Sequence, residues 1–139
     1  MATNTAGTTA RKLSSQQVHY LRFAVTYSDS GIASGVVKQT LPAGAILVGT
    51  DVLVSTTFNA QTTNVLTVGI NGTTANNIVA SGDADETTAA LTQNVKPTGT
   101  ALVPLAADSP VYVKYTQTGT AATQGVAYVV VKYVPNNDL

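Results

Sequence analysis

Residues Ile46–Phe58, ILVGTDVLVSTTF, form the longest alternating stretch of the chain, and their reading decides the fold. Ile46, Val48, Thr50, Val52, Val54, Thr56 and Phe58 share one parity, while Gly49, Asp51, Ser55 and Thr57 mark a wetter one. A period of two belongs to a strand with one face on a core and the other toward water. The first set is therefore expected to point inward.

The same texture extends on both sides. Upstream, Val18–Tyr27 reads as a first strand, with His19, Leu21, Phe23, Val25 and Tyr27 on one face and Val18, Tyr20, Arg22, Ala24 and Thr26 on the other. Ser28 to Gly31 supplies a turn, Val36–Leu41 a short strand, and Pro42-Ala43-Gly44 a second turn. Downstream, Asn59–Asn64 is a polar loop and Val65–Ile70 a strand with Leu66, Val68 and Ile70 inward. Asn71-Gly72 predicts a tight turn, since both residues tolerate positive φ. The middle is less regular. Asn77–Ala80 reads as a brief strand, Asp83–Leu91 as a helical turn with acids at its start, Gln93–Gly99 as loop and Thr100–Leu105 as an edge strand broken by Pro104.

The last two strands are plain. Pro110–Thr118 sets Val111, Val113 and Tyr115 against Tyr112, Lys114 and Thr116. Gly125–Val134 is apolar on both faces, Val126, Tyr128, Val130 and Val134 on one and Ala127, Val129, Val131 and Tyr133 on the other. Such a strand is covered on both sides, by loops of its own chain or by a partner. Seven or eight short strands with no strong helical pattern predict an all-β, jelly-roll-like, two-sheet antiparallel β-sandwich.

Composition agrees. The chain holds 23 Thr and 19 Val in 139 residues, types that are stiff at χ1 and pack well on a pleated surface. This length suits one domain. Charged residues make up 10%, against about 25% in an ordinary globular protein, and the formal net charge is zero. A nucleic-acid binder needs a basic face, and a polybasic membrane anchor needs a cationic cluster. Neither is present, so no nucleic acid and no membrane is expected as a partner. No apolar run approaches the length needed to span a bilayer, the longest being Val126–Val131. The opening MATNTAGTTARK lacks the apolar core of a secretory signal, which predicts synthesis in the cytoplasm.

The inventory for chemistry is thin, and the expectation is a protein that is not an enzyme and takes no cofactor. His19 is the only candidate general base, and its bland reading is a half-buried side chain on a strand. Asp51 is the only acid within a clear strand. Asp83, Asp85 and Glu86 cluster in a loop that could hold Ca²⁺ with Asn76 or Asn77, but the spacing is not that of an EF-hand, and a solvated loop is the simpler reading. Asn71-Gly72-Thr73 matches a glycosylation acceptor and is better explained as a turn.

Contact residues are easier to nominate. Tyr20, Tyr112 and Tyr128 lie on strand faces opposite the most apolar ones, and tyrosine combines a large ring with a hydroxyl that tolerates water. Residues 1–17 are small and polar and read as an extended N-terminal arm, separate from a single sandwich domain over residues 18–139. Alone, such a segment has too little apolar surface to order itself. A neighbouring subunit would hold it through Thr8, Thr9, Arg11 and Lys12. These four and the three tyrosines form the candidate protein interface.

LPAGAILVGTDVLVSTTFNAQTTNVLTVGING, the SGDADE loop and ALVPLAADSPVYVKYTQTGTAATQGVAYVVVKYV together resemble the jelly-roll capsid decoration or cement proteins of tailed bacteriophages. The resemblance covers roughly Leu41 to Val134 and lies in turn placement and Thr/Val/Ala texture. It implies a virion protein on the outer surface of an HK97-type shell, made in the host bacterial cytoplasm. Its partners would be the major capsid protein and a second copy of itself, as a homodimer. Its role would be to bridge neighbouring capsid subunits against the pressure of packaged DNA. The alternative is a receptor- or glycan-binding module of a tail fibre, which would need a groove lined by exposed aromatics.

Overall fold

The computed structural model describes residues 18–136. Seven strands follow in order: β1 His19–Thr26, β2 Val36–Leu41, β3 Ile46–Thr56, β4 Thr63–Gly69, β5 Leu91–Val95, β6 Ser109–Thr118 and β7 Val126–Val134. They form two sheets, ordered β1-β7-β3-β5 and β2-β6-β4. Every ladder is antiparallel, and each successive strand crosses to the other sheet. The pairing is nested: β1 with β7, β2 with β6, β3 with β5, and β4 with a single bridge from Val68 to Val79. That is one long hairpin rolled into a two-sheet sandwich, the jelly roll expected from the sequence. The brief strand expected at Asn77–Ala80 survives as that bridge, an eighth strand cut to one residue pair.

The core lies between the sheets. β1 contributes Leu21, Phe23 and Val25 and β6 contributes Val111, Val113 and Tyr115, all buried at the expected parity; β7, apolar on both faces, turns Ala127, Val129 and Val131 to the core and leaves Val126, Tyr128 and Val130 half-buried on the other side. Phe58 and Tyr115 meet with ring centroids 4.7 Å apart and planes tilted by 46°, an arrangement favoured by the ring quadrupoles. The Tyr115 hydroxyl donates to Asn64 Oδ1 at 2.6 Å, so the buried ring keeps its polar tip satisfied.

The decisive strand departs from its simple alternation. Leu47 pairs with Tyr133 and Gly49 with Lys132, so Val48 is an extra residue in the ladder. The bulge reverses parity. Leu47 is buried before it, Thr50, Val52 and Val54 after it, and Ile46 and Val48 turn outward. Ile46 and Val48 are thus not core residues, because one inserted residue flips the face of all that precede it.

Other local expectations are corrected for equally physical reasons. Asn71-Gly72 makes no tight turn, and neither residue takes positive φ; the chain returns through a wider loop that lays Gly72 against the Tyr112 ring. Asp83–Leu91 forms no helix, and β5 occupies part of the expected loop. The edge strand expected at Thr100–Leu105 is instead a 3-10 turn at Gly99–Ala101 followed by irregular chain. Among the described residues, no helix is long and apolar enough to cross a membrane.

The threonine, asparagine and glutamine content holds one end of the sandwich together. Asn59 Oδ1 accepts from the amides of Thr123 and Gln124 at 2.8 and 3.1 Å, and its Nδ2 donates to Thr123 Oγ1 at 2.9 Å. Gln61 Oε1 accepts from the amide and hydroxyl of Thr120, and Gln117 Oε1 from the amide of Ala122. The loops on either side thus satisfy their backbone groups without a ladder.

Candidate functional site

The outer face of the four-stranded sheet is the surface with most to offer a partner. Rows across it follow from the registers. Ala24, Tyr128, Leu53 and Leu91 form one row. Arg22, Val130 and Asp51 form the next, and Tyr20, Lys132 and Gly49 the third. Tyr20 is 68% exposed, Leu91 53% and Leu53 41%, and the outward Ile46 and Val48 extend the apolar surface along β3. Arg22, Asp51, Leu53, Leu91, Tyr128 and Val130 line a shallow open concavity of about 520 Å³.

Charge on this face is sparse and ordered. The Arg22 guanidinium lies over the Tyr128 ring, 5.2 Å from its centroid. Lys132 Nζ stands 3.3 Å from Asp51 Oδ1 and donates to Asn94 Oδ1 at 3.0 Å. Asp51 Oδ1 also accepts from the Asn94 amide at 2.9 Å. That carboxylate fixes a second bulge: Thr50 pairs with Val95 and Val52 with Thr92, leaving Gln93 and Asn94 opposite Asp51. Asn94 takes φ 59°, a left-handed conformation that asparagine tolerates better than most residues.

The three-stranded sheet presents a more polar outer face. Thr67, Lys114 and Thr116 line a smaller hollow there with Thr73 and Asn76 of the β4–β5 loop, about 230 Å³ in volume.

The nominated residues divide accordingly. Tyr20 and Tyr128 share the outer face of the four-stranded sheet. Tyr112 lies on the opposite side of the sandwich, half-buried against Gly72, and does not join them. Thr8, Thr9, Arg11 and Lys12 lie outside the described residues. Leu53, Leu91, Arg22 and Asp51 escaped the sequence reading, because only the strand order brings β1, β3 and β5 together around β7.

The groups weighed for chemistry are spread apart. His19 stacks on Tyr133 at 6.0 Å between centroids. Asp83 accepts from the Ala80 amide, while Asp85 accepts from Thr87 and Thr88. The Thr87 and Thr88 hydroxyls hold the Asp85 carboxyl below its ordinary value. Glu86 turns inward instead of facing solvent. It is 5% exposed and accepts from the Leu66 amide at 2.7 Å, and its backbone carbonyl accepts from Phe58. Burial pushes its carboxyl up, with a smaller push from Asp85, against the pull of the Leu66 amide. Glu86 thus docks the loop onto the core, while Asp83 and Asp85 stay exposed to solvent as expected. Among the described residues, no three His, Cys, Asp or Glu side chains gather as a metal site requires.

The fold and this face define a jelly-roll sandwich that offers its surroundings a sheet surface with a shallow, open concavity. Solved structures with the same fold come from phage capsids. The chain aligns with one from the acid-stable capsid of Helicobacter pylori bacteriophage KHP30 at TM-score 0.61 and 16% identity, over 85% of this chain and 87% of that one. It aligns with one from the cyanophage Pam1 capsid asymmetric unit at 0.58 and 17%, over 96% of both. A third, from the capsid of Ralstonia phage GP4, aligns at 0.60 and 18%, over 86% and 85%. No protein family matches the chain, and no curated protein matches it in sequence.

Proposed function

We propose that this chain is a structural, non-catalytic virion protein that decorates and cements the outer surface of a phage capsid. It bridges neighbouring major capsid subunits of an HK97-type shell, pairs with a second copy of itself, and stabilises the shell against internal DNA pressure. The observation that carries this reading is the fold shared with chains of three phage capsid structures, over 85–96% of both partners. The exposed apolar face and the low charge content, 10% of residues with no net charge, support it.

The mechanism is additive contact. Packaged DNA pulls capsid subunits apart. A clip across the joint adds buried area that must be exposed before the joint can open, at roughly 25 cal/mol per Å² of apolar surface. Each clip is modest, but many copies act together, and one that grips two subunits gains from effective concentration. Residues 1–17 act in this reading as an arm over a neighbouring capsid subunit, with Thr8, Thr9, Arg11 and Lys12 as its contacts. The sandwich of residues 18–139 is the body that the arm secures.

The test is decoration in vitro. Purified chain added to expanded shells lacking it should bind to saturation and raise the temperature at which those shells release DNA. Binding without a rise would contradict cementing, and no binding would contradict decoration. Deleting residues 1–17 should weaken binding strongly while the sandwich melts as before; unchanged binding would remove the arm from the mechanism.

A further inference from the structure

We infer that the outer face of the four-stranded sheet is a two-fold interface between copies of this chain, with the axis running along β7 through Val130. This takes from the proposed function only the pairing with a second copy, and it names the surface and the register.

The register decides the geometry. Arg22 and Asp51 flank Val130 in one row, each one strand spacing from β7, about 4.8 Å. A two-fold axis in the interface plane can run along β7 or across it. Run across it, the axis stacks Arg22 on its own copy and Asp51 on its own copy, which repels twice. Run along β7, it exchanges the two flanks, so each Arg22 meets the partner's Asp51. The same operation seats Leu53 on the partner's Ala24 in the next row, large against small. One surface is thereby complementary to itself in charge and in volume, as an isologous contact requires.

Two further points fit. Aligned sheets cross at about 30°, which displaces the Arg22–Asp51 meeting by only roughly 2.5 Å at that radius, within reach of an arginine. Like charges at Lys132 are already offset within each copy by Asp51 and Asn94. With the axis along β7, three strands overlap, β1, β7 and β3, and about nine residues of β7 make that overlap roughly 14 by 30 Å. Such a face buries about 900 Å² over both copies, the size of a weak interface that strengthens when the copies are held side by side.

The test uses the full chain, which has no cysteine of its own. Facing sheets stand about 10 Å apart, beyond disulfide reach of about 7 Å, so a short bismaleimide is the probe. Val130→Cys should give a cross-linked dimer as the main product, and Lys114→Cys, on the other sheet, should give almost none. Any other pattern overturns the interface. Separately, sedimentation should show Arg22→Glu and Asp51→Arg each dimerising at least tenfold more weakly than the parent, and a mixture of the two recovering the dimer. A mixture that stays monomeric would overturn the register. A Val130→Cys failure leaves the virion test untouched, since decoration can be scored without dimers.

Discussion

Gly125 precedes β7 where the backbone crosses the Phe58 ring. A Cβ built there would lie 2.3 Å from Phe58 Cδ1, 2.7 Å from Cγ and 2.8 Å from Cε1, against ordinary contacts of 3.4–4 Å. Phe58 is buried and packed against the tilted Tyr115 ring, which blocks its retreat. Gly125 also holds φ +151°, which L side chains rarely adopt. Overpacking of this kind costs about 1–3 kcal/mol, and backbone strain of this kind about another 1–3. Gly125→Ala should therefore destabilise the fold by roughly 2–6 kcal/mol. At this chain length each kcal/mol moves Tm by about 4 °C. Calorimetry should show a fall of roughly 8–24 °C, and urea titration a lower midpoint at an unchanged slope. The clash part can be isolated. In a Phe58→Ala background the added methyl has room, so Gly125→Ala should cost less there than in the parent. A fall under about 3 °C, or equal costs in both backgrounds, would refute the packing described for this end of the core.

Three further outcomes follow from named contacts. Burial raises the Glu86 carboxyl above its ordinary 4.5, so the folded state binds that proton more tightly than the unfolded state does. Its contribution to stability is complete below 4.5 and is lost as pH rises through the raised value. Glu86→Gln, which keeps an acceptor for the Leu66 amide, should then be more stable than the parent at neutral pH, with the gain shrinking toward pH 4; a gain that grows on acidification would reverse the assignment. Asn94→Val should cost about 1–2 kcal/mol because Asn94 sits in the left-handed region, while Asn94→Gly should cost much less; equal losses by chemical denaturation would mean that the lost side-chain contacts dominate. Asn59→Ala removes three hydrogen bonds from one loop pair, and amide exchange at Thr123 and Gln124 should quicken while the β7 amides stay protected. Uniform exchange across both regions would show that Asn59 supports the whole fold.

Strands covered on one face wrote themselves into the sequence. In β1 and β6 an unbroken period of two placed Leu21, Phe23, Val25, Val111 and Val113 inward, and burial agrees, whereas β7, apolar on both faces, left open which face the core takes: Ala127, Val129 and Val131 are the buried set. The bulge at Val48 was hidden because Ile46, Leu47 and Val48 are all apolar, so nothing marks the switch of face. β5 was hidden because LTQNV is polar and bends at Asn94; its pairing comes from Asp51 across the sheet. Glu86 was misplaced because a carboxylate among other acids looks solvated, and its partner, the Leu66 amide, lies twenty positions away in sequence. The candidate interface was half legible. Tyr20 stands on an outward position of a strand that alternates cleanly, and Tyr128 on the less buried face of a strand apolar on both. Arg22, Asp51, Leu53 and Leu91 gain their meaning only from the order β1-β7-β3-β5, which no local pattern encodes.

The most direct test of a shell role is the copy number of this chain in purified particles, measured by quantitative mass spectrometry against the major capsid protein. A ratio near one, or a simple fraction of one, is the result expected of a cement protein. A few tens of copies per particle, or none, would contradict it, the first placing the chain in the tail and the second outside the virion.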